Sequence, residues 1–454
     1  MFRRLFIANR GEVAVRVARA ARSLGISPVC AVSQSDRETP WASAMDEVVC
    51  LGPGNPELSY LRVEATVQAA LQTGCAALHP GWGFLAENAR FAALCQQHGL
   101  TFIGPSPSLI DSMGLKWPSK QAARRAGLTL IPGSEGLLRD VDEAVEVAAR
   151  IGYPVMIKAD AGGGGRGMRH CSNEKELRAG YAQASAEAMG AFGNGDLFLE
   201  KCLQNGRHIE VQILGDRWGK VLHLYERECS IQRKHQKLIE ESPSPALDHE
   251  QREELGTAAA QAAAALGYVG AGTIEFLMDA ESGDLHFMEM NTRLQVEHGI
   301  SECITGVDIV REQIRVAAGE KLEQTQEEIT VSGHAIECRI NAEDPTQNFQ
   351  PTPGDLTRFQ IPRDLGPGSL RVDTHVQEGD TIPPHYDSLM AKLIAHGKDR
   401  AEALETMRRA LDGLVVEGVT STTPLHQAVL ASGEFQSGAY NTGSIPGWTP
   451  QEVS

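Results

Sequence analysis

The first hundred residues alternate short apolar runs with amphipathic stretches. Residues 5–8 form one continuous apolar run, and after Arg10-Gly11 the residues Val13, Val17 and Ala20 recur at helical spacing. Residues 28–32 repeat the apolar run and residues 58–71 the helical pattern; residues 75–78 and 101–103 add two more runs. Short apolar runs separated by amphipathic helices predict a parallel, doubly wound sheet whose strands are covered on both faces. His79-Pro-Gly-Trp-Gly-Phe84 follows one run, at the strand end where such sheets place functional loops. A Pro-Gly turn accounts for the backbone there but leaves Trp82 as an exposed aromatic.

The pattern changes after residue 127. Turn residues crowd residues 127–136, and a smaller unit follows. It is predicted to hold a helix over 141–150, a strand ending in Lys158, a glycine loop, a return strand from Met168, a helix starting near Asn173 and a strand ending in Glu200-Lys201. From about residue 205 a larger region begins, with a strand over 209–214 and an Ala-rich helix over 251–266. Near the end, Ala401, Leu404, Met407, Leu411 and Leu414 predict the core face of a helix. No internal repeat is present.

With 454 residues the chain has room for two or three domains. The balance of 42 basic against 59 acidic side chains, −17 overall, argues against nucleic-acid binding and requires any polyanion site to concentrate its cations locally. Apolar runs are too short for a membrane span, and the N-terminal run reads as a first strand and not a signal peptide. Nine single cysteines without a C-x-x-C pair suit a reduced, cytoplasmic setting, and Cys229 and Cys338 read as buried apolar residues beside motifs.

Chemistry concentrates in Glu289-Met-Asn-Thr-Arg-Leu-Gln-Val-Glu297. Glu289 and Asn291 are oxygen donors of the kind Mg²⁺ selects, with Glu275 a third from a neighbouring strand. Arg293 is a fork-shaped donor for phosphate or carbonate, and Glu297 a candidate base. An extended backbone would put all the odd-numbered residues on one face. Upstream, the strand carrying Lys158 runs into four consecutive glycines, residues 162–165, whose N–H groups can wrap a phosphate. Gly162, Gly164 and Gly167 also satisfy G-x-G-x-x-G, but a dinucleotide turn needs a helix immediately afterwards. Met168-Arg-His-Cys-Ser-Asn173 reads instead as a return strand, so a hairpin tip closing over phosphates fits better. Lys116, Lys158 and Lys201 are point charges for phosphates; Arg207-His208 and Gln232-Arg-Lys-His-Gln-Lys237 form a second basic cluster. Arg339 sits on a strand-like segment.

In order, Ala8-Asn-Arg-Gly-Glu12, His79 to Phe84, the glycine loop, Arg233-Lys-His-Gln-Lys237, Glu289 to His298, Cys338-Arg-Ile-Asn-Ala-Glu-Asp344 and Tyr386-Asp-Ser388 resemble the ATP-grasp enzymes and, within them, the biotin carboxylases. The resemblance spans nearly the whole chain. It implies an α/β (α+β ATP-grasp) fold: a Rossmann-like doubly wound domain over 1–115, a linker helix and small lid over 116–204, an ATP-grasp catalytic domain over 205–330 and a C-terminal domain over 331–454, with a large antiparallel sheet. The implied activity is that of an ATP-dependent ligase, carboxylating biotin with bicarbonate through carboxyphosphate. Position by position, Lys116, Lys158, Gly164, Gly165, Glu200, Lys201, Leu203, His208, His235, Glu275 and Glu289 would bind ATP. Glu275, Glu289 and Asn291 would hold Mg²⁺ or Mn²⁺; Lys237, Arg293, Gln295 and Val296 would cradle bicarbonate. Glu297 would be the base and Arg339 would face biotin.

The chain departs from the family at Leu115, where an acid is usual, at Trp117-Pro118, at Asp160-Ala161 in place of Ser-Gly, and at Gly299-Ile-Ser. No Met-Lys-Met biotinyl signature is present, so the expected partners are a separate biotin carboxyl carrier protein and carboxyltransferase subunits, with acetyl-CoA carboxylase the commonest context and a homodimer the family expectation. A carboxylate–amine ligase or an inactive ATP-binding paralogue are the alternatives. Glu297→Gln or removal of Arg293 is expected to lower turnover by roughly 10²-fold or more, with ATP affinity little changed. Steady-state ADP release checks this, and unchanged turnover in Glu297→Gln removes the assigned role.

Overall fold

The structure, a computed structural model, describes residues 1–161, 167–233, 236–362 and 365–449. The N-terminal sheet has the order Glu47–Gly52, Ser27–Ser33, Arg4–Ile7, Ala77–His79, Thr101–Phe102, and every pair is parallel. The helix Gly11–Ser23 lies over it with Val13, Val17 and Ala20 buried, as their spacing predicts. Two elements carry no clear periodic signal. The edge strand Glu47–Gly52 pairs on one side only and buries little, and the nine-residue helix Ala89–Gln97 is started by Asn88, whose side chain accepts from Phe91 N–H. The helix expected over 58–71 begins later, as Val63–Gln72. Before it, Tyr60 is buried, accepting from Ser33 N–H at 3.0 Å and donating to Asp36 at 2.6 Å, which keeps this stretch irregular. Trp82 is half-buried against the core rather than exposed, because its loop folds back over Asn9, whose amide donates to the carbonyls of Pro80 and Trp82.

The smaller unit is an antiparallel sheet of Met168–Cys171, Val155–Ala159 and Leu197–Lys201, in that order, covered by the helices Val141–Ile151 and Glu174–Phe192. The return strand after the glycines is therefore present, and Asn173 starts the following helix by accepting from Glu176 N–H at 3.0 Å.

An eight-stranded antiparallel sheet forms the largest layer: Leu285–Asn291, Gly270–Met278, Arg207–Gly215, Val221–Arg233, Gln236–Ser242, His334–Asn341, Leu389–Gly397 and Ser369–Thr374. The extended segment expected to reach Glu297 stops at Asn291, and residues 292–297 turn into the helix His298–Thr305. Late in the chain the helix Arg400–Gly413 buries Ala403, Thr406, Met407, Ala410 and Leu411. Met407, Leu411 and Leu414 are buried and Leu404 packs against them, as their spacing predicts; Ala401 is exposed, and Leu414 lies just beyond the helix in extended backbone. The helix is phased by Asp399, whose carboxylate accepts from Glu402 N–H at 2.9 Å. Among the described residues, no helix is long and apolar enough to cross a membrane.

Glu241 ties the far half of the large sheet to the C-terminal segment. Its carboxylate lies 2.7 Å from His334 Nε2, accepts two hydrogen bonds from Arg400 at 2.7 and 3.0 Å, and accepts from the Tyr440 hydroxyl. Burial favours the protonated acid, but His334 and Arg400 outweigh it and hold the carboxyl at about 2. A folded-state value below the unfolded one adds stability at neutral pH, which is lost as pH falls from the ordinary glutamate range toward 2. Glu241→Gln is expected to cost roughly 3 kcal/mol near pH 7, the scale for breaking a buried ion pair. The difference from wild type should shrink below pH 4, and denaturant melts across pH check both.

Candidate active site

The large sheet presents a row of charged residues across four strands. Glu289 is the direct neighbour of Glu275, Glu275 of Glu210, and Glu210 of Arg227. Cross-strand neighbours share a face, so this register puts three carboxylates side by side. The floor is closed by Arg227, fully buried, which donates to Glu210 at 2.6 Å, Gln212 at 2.7 Å, Ser301 at 3.0 Å and Thr273 at 3.1 Å.

Above it lies a cavity of about 430 Å³. Lys116, Lys158, Glu200, His208, Lys237, Glu275, Glu289, Asn291, Arg293, Gln295, Val296, Glu297 and Arg339 all line it. Residues from distant stretches of sequence thus meet in one place. Lys201 and Leu203 are not among the lining residues; the Lys201 ammonium instead donates to the carbonyls of Gly152 and Tyr153 at 3.2 and 3.0 Å. Strand alternation explains this, since Lys158 and Glu200 face the cavity and the next residue along must face away. Gly164, Gly165 and His235 lie outside the described residues.

The Lys237 ammonium is the hub. It donates to Glu297 Oε1 at 2.6 Å, to Glu275 Oε1 at 3.0 Å and to Glu210 Oε2. Burial opposes its charge, but the carboxylates overcome this and raise the amine well above its ordinary value. The other oxygen of Glu297 accepts from Arg339 at 2.9 Å. Burial disfavours the Glu297 carboxylate, yet Lys237, Arg339 and Arg227 together hold it well below the usual range. Behind Arg339 lies Glu240, a buried acid pushed up to about 7 by burial despite the guanidinium against it. His208 Nε2 is 3.3 Å from Glu275 Oε2; burial alone would keep the imidazole neutral, and Glu275 raises it.

Arg293 is held flat by neighbours. It donates to Glu87 at 2.8 Å, to Gln295 Oε1 at 3.0 Å and to Asn291 Oδ1 at 3.1 Å. On the opposite wall, Lys116 reaches Glu289 at 3.1 Å, and Glu200 is bracketed by Lys158 at 2.6 Å and by Lys120. Burial among like charges lowers both amines, Lys120 to about 7 and Lys158 to about 8.

The donor set suits a hard divalent cation. Glu275 and Glu289 are paired directly across two strands, and Glu275, although disfavoured by burial, is kept ionised by Lys237 and His208. Asn291 presents its Nδ2 to Glu275 Oε1 at 2.9 Å and its Oδ1 to Arg293, so in this rotamer it steers its neighbours and offers no oxygen toward Glu275.

Sequence reasoning missed Glu210, Glu87 and Arg227. Glu210 was findable, because it lies two residues after His208 on one strand and must share its face. Glu87 comes from a loop and carried no local signal; only the fold brings it to Arg293.

Three family models cover the chain: "Biotin carboxylase, N-terminal domain" matches residues 1–110, "Carbamoyl-phosphate synthase L chain, ATP binding domain" residues 116–325, and "Biotin carboxylase C-terminal domain" residues 337–446. Biotin carboxylase 1 of Bacillus subtilis is 49% identical over 97% of this chain and 98% of its own length. A pyruvate carboxylase subunit from Methanothermobacter thermautotrophicus is 48% identical over 97% of this chain and 89% of its own length. Among solved structures, the biotin carboxylase domain dimer of Hydrogenobacter thermophilus 2-oxoglutarate carboxylase, in complex with MgADP, ADP and bicarbonate, superposes with a TM-score of 0.93 at 49% identity, covering 97% of this chain and 96% of that one. The chain belongs to the biotin carboxylase family of ATP-dependent ligases.

Proposed function

We propose that this chain carboxylates biotin on a separate carrier protein, using ATP and bicarbonate through carboxyphosphate, as the first half-reaction of an acyl-CoA carboxylase. The observation that carries the reading is the contact of Lys237 and Arg339 with the two oxygens of Glu297, beside Arg293 and the Glu275–Glu289 pair in one cavity. In this reading Lys116 and Lys158 bind the polyphosphate, Glu200, His208, Gly164, Gly165 and His235 complete the nucleotide site, and the side chains of Lys201 and Leu203, which do not line the cavity, take no part in it. Glu275 and Glu289, with Asn291 after an amide turn, would hold Mg²⁺, which when bound neutralises phosphate charge.

Bicarbonate is a weak nucleophile and a small anion, so it must be fixed by cationic donors next to a base. Lys237 and Arg293 supply the cations, and Gln295 and the Val296 backbone add neutral donors. Glu297, kept ionised by its two cations, is ready to take the bicarbonate proton as the oxygen attacks the γ-phosphorus. An arriving anion competes for Lys237 and Arg339, and each cation it draws off makes the carboxylate a stronger base. Arg339 then faces the ureido oxygen of biotin and stabilises the enolate-like anion that captures CO₂.

Acetyl-CoA is the proposed final acceptor, and a homodimer the proposed assembly. In this reading the acceptor is set by the carboxyltransferase partner, and a relative named for pyruvate carboxylation matches at 48% identity against 49% for one named only biotin carboxylase. Reconstitution with carrier protein and each acyl-group carboxyltransferase in turn decides it.

The primary test is ADP release from Mg·ATP by the purified chain, omitting bicarbonate and free biotin in turn. Turnover that requires bicarbonate and rises with biotin is expected; turnover driven by another carboxylate and an amine would overturn the reading. Lys237→Met should lower bicarbonate-dependent turnover by roughly 10²-fold or more. It should also raise the pH at which activity falls on the acid side, because Glu275 and Glu297 lose the ammonium that keeps them ionised. A pH–rate profile of the variant, compared with wild type, checks the direction.

A further inference from the structure

The helix Lys116–Arg125 carries Lys116 and Lys120 into the cavity, yet its own N-cap residue, Leu115, has no side chain able to accept a hydrogen bond. The free N–H groups of its first turn are nevertheless all accounted for. Lys116 N–H donates to the Asp160 carbonyl at 3.1 Å and Trp117 N–H to Asp160 Oδ1 at 2.7 Å. Pro118 has no N–H, and Ser119 N–H bonds to the Leu115 carbonyl at 3.1 Å. One residue from another part of the chain thus does what a helix-starting side chain ordinarily does for itself.

Asp160 follows directly on the strand Val155–Ala159, two residues after Lys158, and is 3% exposed. Its own N–H is tied to the Asp196 carbonyl at 2.9 Å, so it is fixed to the small sheet. Burial pushes its carboxyl up and the Trp117 N–H pulls it back. A buried acid is costly unless it is satisfied, and here the helix N-terminus, with its partial positive charge, satisfies it. The spacing of the three lysines follows. Lys158 is two residues from Asp160 along the strand, Lys116 and Lys120 are on the helix Asp160 anchors, and Lys120 and Lys158 meet on Glu200.

We infer that Asp160 is a positioning residue for nucleotide binding: by capping the helix Lys116–Arg125 from the small sheet, it sets Lys116 and Lys120 relative to Lys158 as one polyphosphate-binding group. This rests on the reading of Lys116 and Lys158 as ATP ligands. It also gives two departures from the family pattern, Leu115 and Asp160, a single physical account, with the capping acid supplied from across the fold and not from the helix itself.

The test is calorimetric Mg·ATP binding, with steady-state kinetics alongside, on the full chain. Asp160→Ala is expected to weaken Mg·ATP binding about tenfold, within the range of a lost helix cap. Bicarbonate KM should hold, and kcat at saturating ATP should change by less than about threefold. Asp160→Asn, whose amide oxygen still accepts from Trp117 N–H, should stay within about threefold of wild type. The decisive variant is the double mutant Leu115→Asp with Asp160→Ala, which places an acceptor in the helix's own cap position. Recovery of Mg·ATP affinity to within about threefold supports the inference. Unchanged affinity in Asp160→Ala, or a folded double mutant that remains as weak as Asp160→Ala, overturns it. If Asp160→Ala does not fold, Asp160→Asn and the double mutant carry the comparison with wild type. Wild-type chain that binds Mg·ATP but releases no ADP in response to bicarbonate would overturn the proposed reaction and leave this binding comparison standing. Wild-type chain that binds no Mg·ATP would overturn both.

Discussion

One ammonium group holds the site together. Lys237 sits among Glu210, Glu275 and Glu297, and each of those carboxylates is buried. Three acids brought this close in a low-dielectric interior would not all stay ionised without a cation between them. The arrangement therefore makes charge the organising constraint: Arg227 supports Glu210 from below, Arg339 takes the far oxygen of Glu297, and His208 leans on Glu275. Two consequences follow for chemistry. The Glu275 and Glu297 carboxylates are held in their ionised form at neutral pH, and the cations that keep them so are the donors a small anion would need.

The same constraint extends past the cavity. By register, Glu240 lies opposite Glu337, and Lys392 opposite both Arg339 and Asp373. Glu240, Glu337, Asp373 and Lys392 are buried where most sheets carry aliphatic residues. Lys392, fully enclosed, donates to the Val296 carbonyl at 2.8 Å and lies 3.1 Å from Glu12 of the N-terminal domain. Charges in a dry interior tolerate little displacement, because each lost partner exposes a full desolvation cost. A turn held in this way, residues 295–297, presents its backbone and the Glu297 side chain in one geometry.

Much of the architecture was legible along the chain. Apolar runs alternating with helical periodicity predicted the parallel sheet, and the return strand after the glycines was readable because no helix signal begins at Met168. Errors fell where local pattern was weak or misleading. Residues 58–62 look helical but are drawn into a loop by Tyr60 bonding to Asp36 and Ser33. Residues 292–297 alternate like a strand but turn, and their polar groups still converge because the turn folds over the same cavity that the strand faces. Alternation picked out residues that line one cavity, for a reason that proved only half correct.

The amino-acid sequence by itself determined which groups are available: a run of four glycines, a set of lysines, the Glu289 to Glu297 cluster and Arg339 in a family-specific order. It determined elements whose cause is local, since hydrophobic period and caps act over a few residues. Only the tertiary structure decided who faces whom. Glu210 and Arg227 become neighbours of Glu275 through strand register, Glu87 reaches Arg293 across 206 residues, and Asp160 caps a helix that begins 44 positions earlier. Such contacts are set by sheet pairing and by the need to satisfy every buried charge and N–H, conditions that act between segments and leave no periodic trace within any one of them.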